Sequence, residues 1–444
     1  MKEATTRGAP LSSPWMQPCV AVALCTVATG CFDLGGLQSP RLPGDVTSLD
    51  DGSLAVDEKT DEVYLVRDGT LYVVDPEKGA ARAIEKVPAG TLSSRIAFGK
   101  TRPFVARTMQ VGAEASTWMW PVGDASRRAS IPFGALSTPS SRDFIAIVGT
   151  KETVILDGTS LEPASMPATY TELAWMGEGD RFVTLSCGTK GIRVETWQAQ
   201  AVSGAAPSVD RLGQAEIENE LCAASSWLAV APNASFAVFP VGGADASTTA
   251  EPRLLAVELG MGLPPRSISG IKGPVAFSQD GTKVIGFRDG SIRAFDWKAN
   301  TTMVVDAPPF RGDISYYRHP ERDRLLVGNA SGLAQRLMLV DLPSAKAERL
   351  GPPGVGLTNF VASGPDELWL VDHEALFHLD LAKPALELVA TEAAPHHIQY
   401  LPNRKRVVID DANAQTVSFL DPATRSVVMV ATLGGDGSAT PAAE

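Results

Sequence analysis

The chain has little of what catalysis, metal binding or membrane insertion needs. Its 444 residues include 5 Cys and 5 His. There is no G-x-S-x-G nucleophile elbow and no G-x-x-x-x-G-K phosphate loop. His373 and His378 are five apart, whereas a helical zinc motif needs four. On a strand, an odd spacing sends two side chains to opposite faces, which also separates the adjacent His396 and His397. His319 stands alone, so no metal and no cofactor is expected. Asp50, Asp51 and Asp57 lack the spacing of a calcium loop. Positive charge is scarce: the net charge of −12 argues against binding a phosphate backbone, so no nucleic-acid partner is expected. The apolar run Cys19–Ala28 is too short to span a bilayer. No long stretch has a 3.6-residue period, which excludes extended amphipathic helices.

Turns and short β-prone runs are plentiful, with 40 Gly and 32 Pro. The clearest stretch is 274–297, PVAFSQDGTKVIGFRDGSIRAFDW, in which two Asp-Gly turns separate three runs. One marker, an apolar strand ending on an acid, recurs at Asp75, Asp157, Asp296, Asp341, Asp380 and Asp421, with Glu258 a near match. TWMWP near Pro121 and RVETW near Trp197 are weaker members. A second marker, a polar turn entering a strand, precedes each of the nine, as in DEVYLV, RDFIAI and KRVVID. A period of about 40 residues with four β runs predicts an all-β fold: a single closed β-propeller of four-stranded antiparallel blades. Nine repeats are counted. The unit around Trp197 could instead be an insertion, leaving eight, and GQAEIENEL beside it reads as a helical turn.

The DGTKV turn and strand followed by DGSIRAFDW resemble the WD-repeat family, and the other units resemble its looser bacterial relatives. The Gly-His dipeptide of that family is absent, and only this unit has an Asp-Trp pair. The resemblance implies a rigid scaffold that binds proteins or peptides. At the N-terminus, Lys2, Arg7 and the apolar run lead into Val27-Ala28-Thr29-Gly30-Cys31. This resembles the bacterial lipobox, with Ala28 where that family favours Leu, and implies that Cys31 is lipidated. Ordinary secretory cleavage nearby is the alternative. The expected organisation is a signal peptide over 1–30, a lipidated terminus and flexible tether over 31–50, a propeller over 51–432 and a disordered tail over 433–444. Cleavage leaves Cys187 and Cys222 as the remaining thiols, either bridged or two separate buried groups.

Two insertions, Gly213–Ser226 and Val241–Pro252, are expected side by side on one face, where a binding surface would form. The primary expectation is a non-catalytic, lipid-anchored scaffold of the bacterial cell envelope, periplasmic or outer-membrane associated. It touches the membrane through its anchor only and has a protein or peptide partner. The alternative is a periplasmic propeller enzyme of lactonase or dehydrogenase type. Neither reading fixes an oligomeric state.

Overall fold

The computed structural model describes residues 47–49 and 54–441, apart from short breaks between strands, of which 243–252 is the longest. The predicted runs form nine antiparallel sheets, each a contiguous four-strand meander. The blades are Leu54–Lys86, Thr91–Ile131, Gly134–Ser165, Glu172–Glu218, Leu221–Ile268, Lys272–Val304, Ile314–Leu350, Asn359–Val389 and Pro395–Thr432. In the fifth, two short segments, Leu221–Cys222 and Ala229–Val230, share the innermost position. Among the described residues the only helical element is a single 3-10 turn, Ala125–Arg127. The count is nine, because RVETW lies in a full third strand, Gly191–Gln200.

The expected helical turn at GQAEIENEL is a strand. Ser208–Glu218 forms the outer edge of blade 4, with Ala215 opposite Val194 and Ile217 opposite Ile192. Ala215 and Ile217 alternate with Gln214, Glu216 and Glu218, a period of two that a helix cannot use. Strand pairing also reaches past both ends of the nine blades. Thr47–Ser48 pairs with Ile96 and Arg95 of blade 2, and Leu49 is buried. Leu433 packs inside the core, and Thr440–Pro441 adds a short strand beside Met429 and Val430.

Third strands end on an acid because the acid builds the next turn. The Asp157 carboxylate accepts the N–H groups of Thr159 and Ser160 at 2.9 and 2.8 Å. Asp75, Asp296, Asp341, Asp380 and Asp421 bond their turns in the same way. The N–H of Ala423 holds the Asp421 carboxyl below the usual carboxylate range. Four residues after the acid the chain goes left-handed, at Gly79, Leu161, Asn300, Ala345 and Arg425. Only one of these five is glycine, so the turn is held by the acid rather than by backbone freedom.

One apolar cluster fills each gap between neighbouring blades, and the nine clusters form a complete ring. The last cluster joins blade 9, through Leu401, Val408, Val417, Phe419 and Leu433, to Leu54, Val63, Leu65 and Val74 of blade 1. No strand is shared across this seam among the described residues. We call the face with the turns after first and third strands the lower face. There Arg404 and Asn403 of blade 9 grip Asp61 of blade 1, the Arg404 backbone N–H donating at 2.8 Å. Lower-face polar contacts recur around the ring: Asn233 to the Asp280 carbonyl, Gln279 to Asp323, and Lys100 to Asp143. Buried Arg142 of blade 3 reaches past the Phe98 ring of blade 2 to Asp57 of blade 1.

Phe419 is fully buried in the seam, so Phe419→Ala removes packing that no backbone bond replaces. A loss of roughly 3–5 kcal/mol in unfolding free energy is expected. The exposed Leu388→Ala should change it by less than about 0.5 kcal/mol. Urea titration of both variants measures the difference; equal midpoints would show that the seam does not hold the ring.

Candidate functional site on the upper face

The upper face carries the turns between second and third strands and the blade-to-blade connections. Two constructions stand out on it, one at the seam and one between blades 4 and 5.

At the seam, the inner strand of blade 9, Pro395–Leu401, has a register shift. Pro395 pairs with Asp411 and Ile398 pairs with Ile409, so two residues, His396 and His397, stand opposite the single residue Asp410. This is a β-bulge, and it cancels the alternation that would send adjacent side chains apart. The two Nδ1 atoms lie 3.0 Å from each other, and the His397 Nδ1 lies 3.6 Å from Asp410 Oδ1. The rings meet edge to face at 4.3 Å. The expectation that the adjacent histidines diverge is therefore corrected.

Neighbouring blades hold the bulge in place. Asp410 is fully buried, and its Oδ1 accepts the backbone N–H of His397 at 2.6 Å. Its Oδ2 accepts from Arg67 Nη2 of blade 1 at 3.0 Å. The carbonyl of His396 accepts from Asn359 Nδ2 of blade 8 at 2.9 Å. His396 itself is exposed and His397 half-buried.

Between blades 4 and 5, Cys187 and Cys222 form a disulfide with Cα atoms 5.8 Å apart. Cys187 ends the second strand of blade 4, and Cys222 opens the innermost position of blade 5. The bridge thus crosses a blade boundary. Cys222 pairs with Val241, so it also lies at the base of the connection 243–252, which is outside the described residues. Of the two expected insertions, Gly213–Glu218 is strand rather than loop, a correction that leaves the segment from Asn219 onward as the connection. Beside the bridge, Ser226 Oγ donates to Glu172 Oε1 at 2.9 Å, and desolvation pushes that carboxyl up to about 7.

The sequence matches no family model and no curated protein. Among solved structures, a crystal structure of a eukaryotic initiation factor aligns with a TM-score of 0.52 at 13% identity, over 76% of this chain and 87% of that one. The fold is a WD-repeat-like β-propeller. The tricorn protease aligns at 11% identity with a TM-score of 0.26, over 88% of this chain and 44% of that one. A chain of the mitotic checkpoint complex aligns at 11% identity with a TM-score of 0.38, over 87% and 99%.

The other candidate residues of this propeller are structural or lie outside the described residues. Cys31 and His373 are outside them. His378 is buried edge-on against Trp369 at 5.0 Å, and burial pushes its pKa below the ordinary histidine value. His319 does not stand alone. Its Nδ1 accepts the N–H groups of Glu321 and Arg322, both at 3.0 Å, and its Nε2 lies 3.1 Å from Asp366 of blade 8. That leaves Nε2 to donate, and the residue serves as a lower-face clamp between blades 7 and 8.

The Cys187–Cys222 bridge closes a loop of 35 residues. Cys222→Ser is expected to lower the unfolding free energy by roughly 3–4 kcal/mol in the chain-entropy account. Peptide mapping without reductant should recover the two cysteines in one linked peptide, and a urea midpoint that does not respond to reductant would argue against a stabilising bridge.

Proposed function

We propose that this chain is a non-catalytic, lipid-anchored β-propeller of the bacterial cell envelope that binds a protein or peptide on its upper face. The observation that carries the reading is the Cys187–Cys222 disulfide at the base of the longest upper-face connection. Disulfides persist in oxidising compartments, in keeping with export by the N-terminal signal. This one also stiffens the surface where a partner would dock, which lowers the ordering cost of binding. The ring beneath is sealed by nine apolar interfaces, so it serves as a rigid platform.

Orientation agrees with this reading. Thr47–Ser48 runs antiparallel to Thr91–Phe98, which descends from the upper face to the lower. The chain therefore enters the ring from the lower side. An anchor on Cys31 would then join the ring on the side opposite the upper face, leaving that face open to a partner. Diacylation with an amide-linked chain is enough for stable anchoring, since two or more acyl chains suffice.

A second reading, a periplasmic propeller enzyme of lactonase type, is favoured by one observation, the His396, His397 and Asp410 cluster.

Two measurements test the proposal. Mass spectrometry of the N-terminal peptide from native envelope is expected to find Cys31 acylated; an intact Met1 or an unmodified mature terminus overturns the anchoring. Cross-linking in the same envelope is expected to join partner peptides to upper-face segments such as 187–191 and 219–228. Cross-links spread evenly over both faces, or none, overturn the docking surface.

A further inference from the structure

The structure assigns a divalent transition-metal site, of the zinc class, to His396 Nδ1, His397 Nδ1 and Asp410 Oδ1. One ligand atom from each of the three residues lies within 4.8 Å of the other two. A tetrahedral zinc ion with ligands at about 2.0–2.2 Å places neighbouring ligand atoms roughly 3.3–3.6 Å apart. The 3.6 Å from His397 to Asp410 matches that edge length, and the two nitrogens, 3.0 Å apart, need to part by only about 0.3 Å to reach it. Two imidazoles and one carboxylate select a borderline cation over magnesium or calcium, which prefer oxygen alone.

The donors are held in place from outside the cluster. Among the described residues Asp410 Oδ1 takes one hydrogen bond, from the His397 N–H, which leaves a lone pair for a cation. Its other oxygen is fixed by Arg67, as outer partners commonly fix metal-bound carboxylates. Arg67 also brings a positive charge close to the ion, which weakens binding, so the site is a moderate rather than a tight one. Asn359 holds the bulge from the blade 8 side. These contacts come from three blades, so the site exists only where the ring closes.

The burial gradient fits coordination from one side. Asp410 lies at the bottom and fully buried, His397 is half-buried, and His396 is exposed at the rim. Three protein ligands then face the ion from the protein side, and solvent supplies the remaining position. A bound ion would link the two strands of blade 9 at the bulge, beside the seam to blade 1.

The test uses the full chain, stripped with a chelator and titrated with Zn²⁺ alone by calorimetry, and with Co²⁺ followed by visible absorption. One Zn²⁺ per chain is expected, together with the d–d bands of cobalt bound to nitrogen and oxygen. Exposed His396→Ala, which leaves the fold's packing untouched, should weaken Zn²⁺ binding by roughly 100-fold. His397→Ala should do the same. Zn²⁺ should raise the Tm of the wild type and leave that of His396→Ala unchanged. No stoichiometric binding by the wild type overturns the assignment, and so does equal binding by both variants. Lipid attachment and partner capture are read by other measurements, so failure here is distinguishable from failure of the proposed function.

Discussion

The whole ring depends on apolar packing between blade 9 and blade 1. Every other pair of neighbouring blades is also joined by covalent chain, but among the described residues this pair is held by non-covalent contacts alone. Val417 and Phe419 meet Leu65 and Val74 there without a shared strand. Each blade is a twisted meander that cannot bury its own faces, so an open seam would expose two apolar sheets and unravel the stack from both ends. Polar contacts at both faces reinforce the closure. Asp61 takes Asn403 and Arg404 below, and Arg67 takes Asp410 above. Both acids are buried, so each contact fixes register as well as adding energy.

The two faces are built differently. The lower face is a ring of short turns tied to their neighbours, through Asn233, Gln279, His319, Asp366 and Arg404. Gly99 and Gly158 let blades 2 and 3 approach so closely there that an added Cβ on Gly99 would sit 2.2 Å from a carbonyl oxygen. The upper face carries the longer connections and the disulfide. A rigid, interlocked base beneath variable connections is how repeat folds present binding loops.

The histidine pair illustrates how a local rule fails for a physical reason. Alternation of side chains holds while each residue has one partner across the ladder. At His396 and His397 two residues share one partner, and both side chains turn to the same side. Nothing in the composition of PHHIQYL marks the extra residue, because a bulge is defined by the register of the opposite strand. Asp410 is 13 residues further on and becomes a neighbour only through that register. The segment from Gly213 departs from the expected helical turn for a related reason: its alternation is carried by Ala215 and Ile217 alone, too few residues to outweigh a helix-forming composition.

The sequence by itself determined the repeat. Nine strands ending on acids or their stand-ins, each preceded by a polar turn and a second strand, became the third and second strands of nine blades. Such signals are local: turn residues bond their own backbone, and strand residues alternate, so both survive in one dimension. Composition left Cys187 and Cys222 either bridged or separate, and the structure joins them across the boundary of blades 4 and 5. Only the tertiary structure decided where the chain closes, that Thr47–Ser48 joins blade 2, and that His396, His397, Asp410 and Arg67 converge. Arg67 and Asp410 are 343 residues apart, and no periodicity links them. They meet because a closed ring makes its first and last blades neighbours, and closure is a property of the accumulated twist of nine sheets rather than of any one of them.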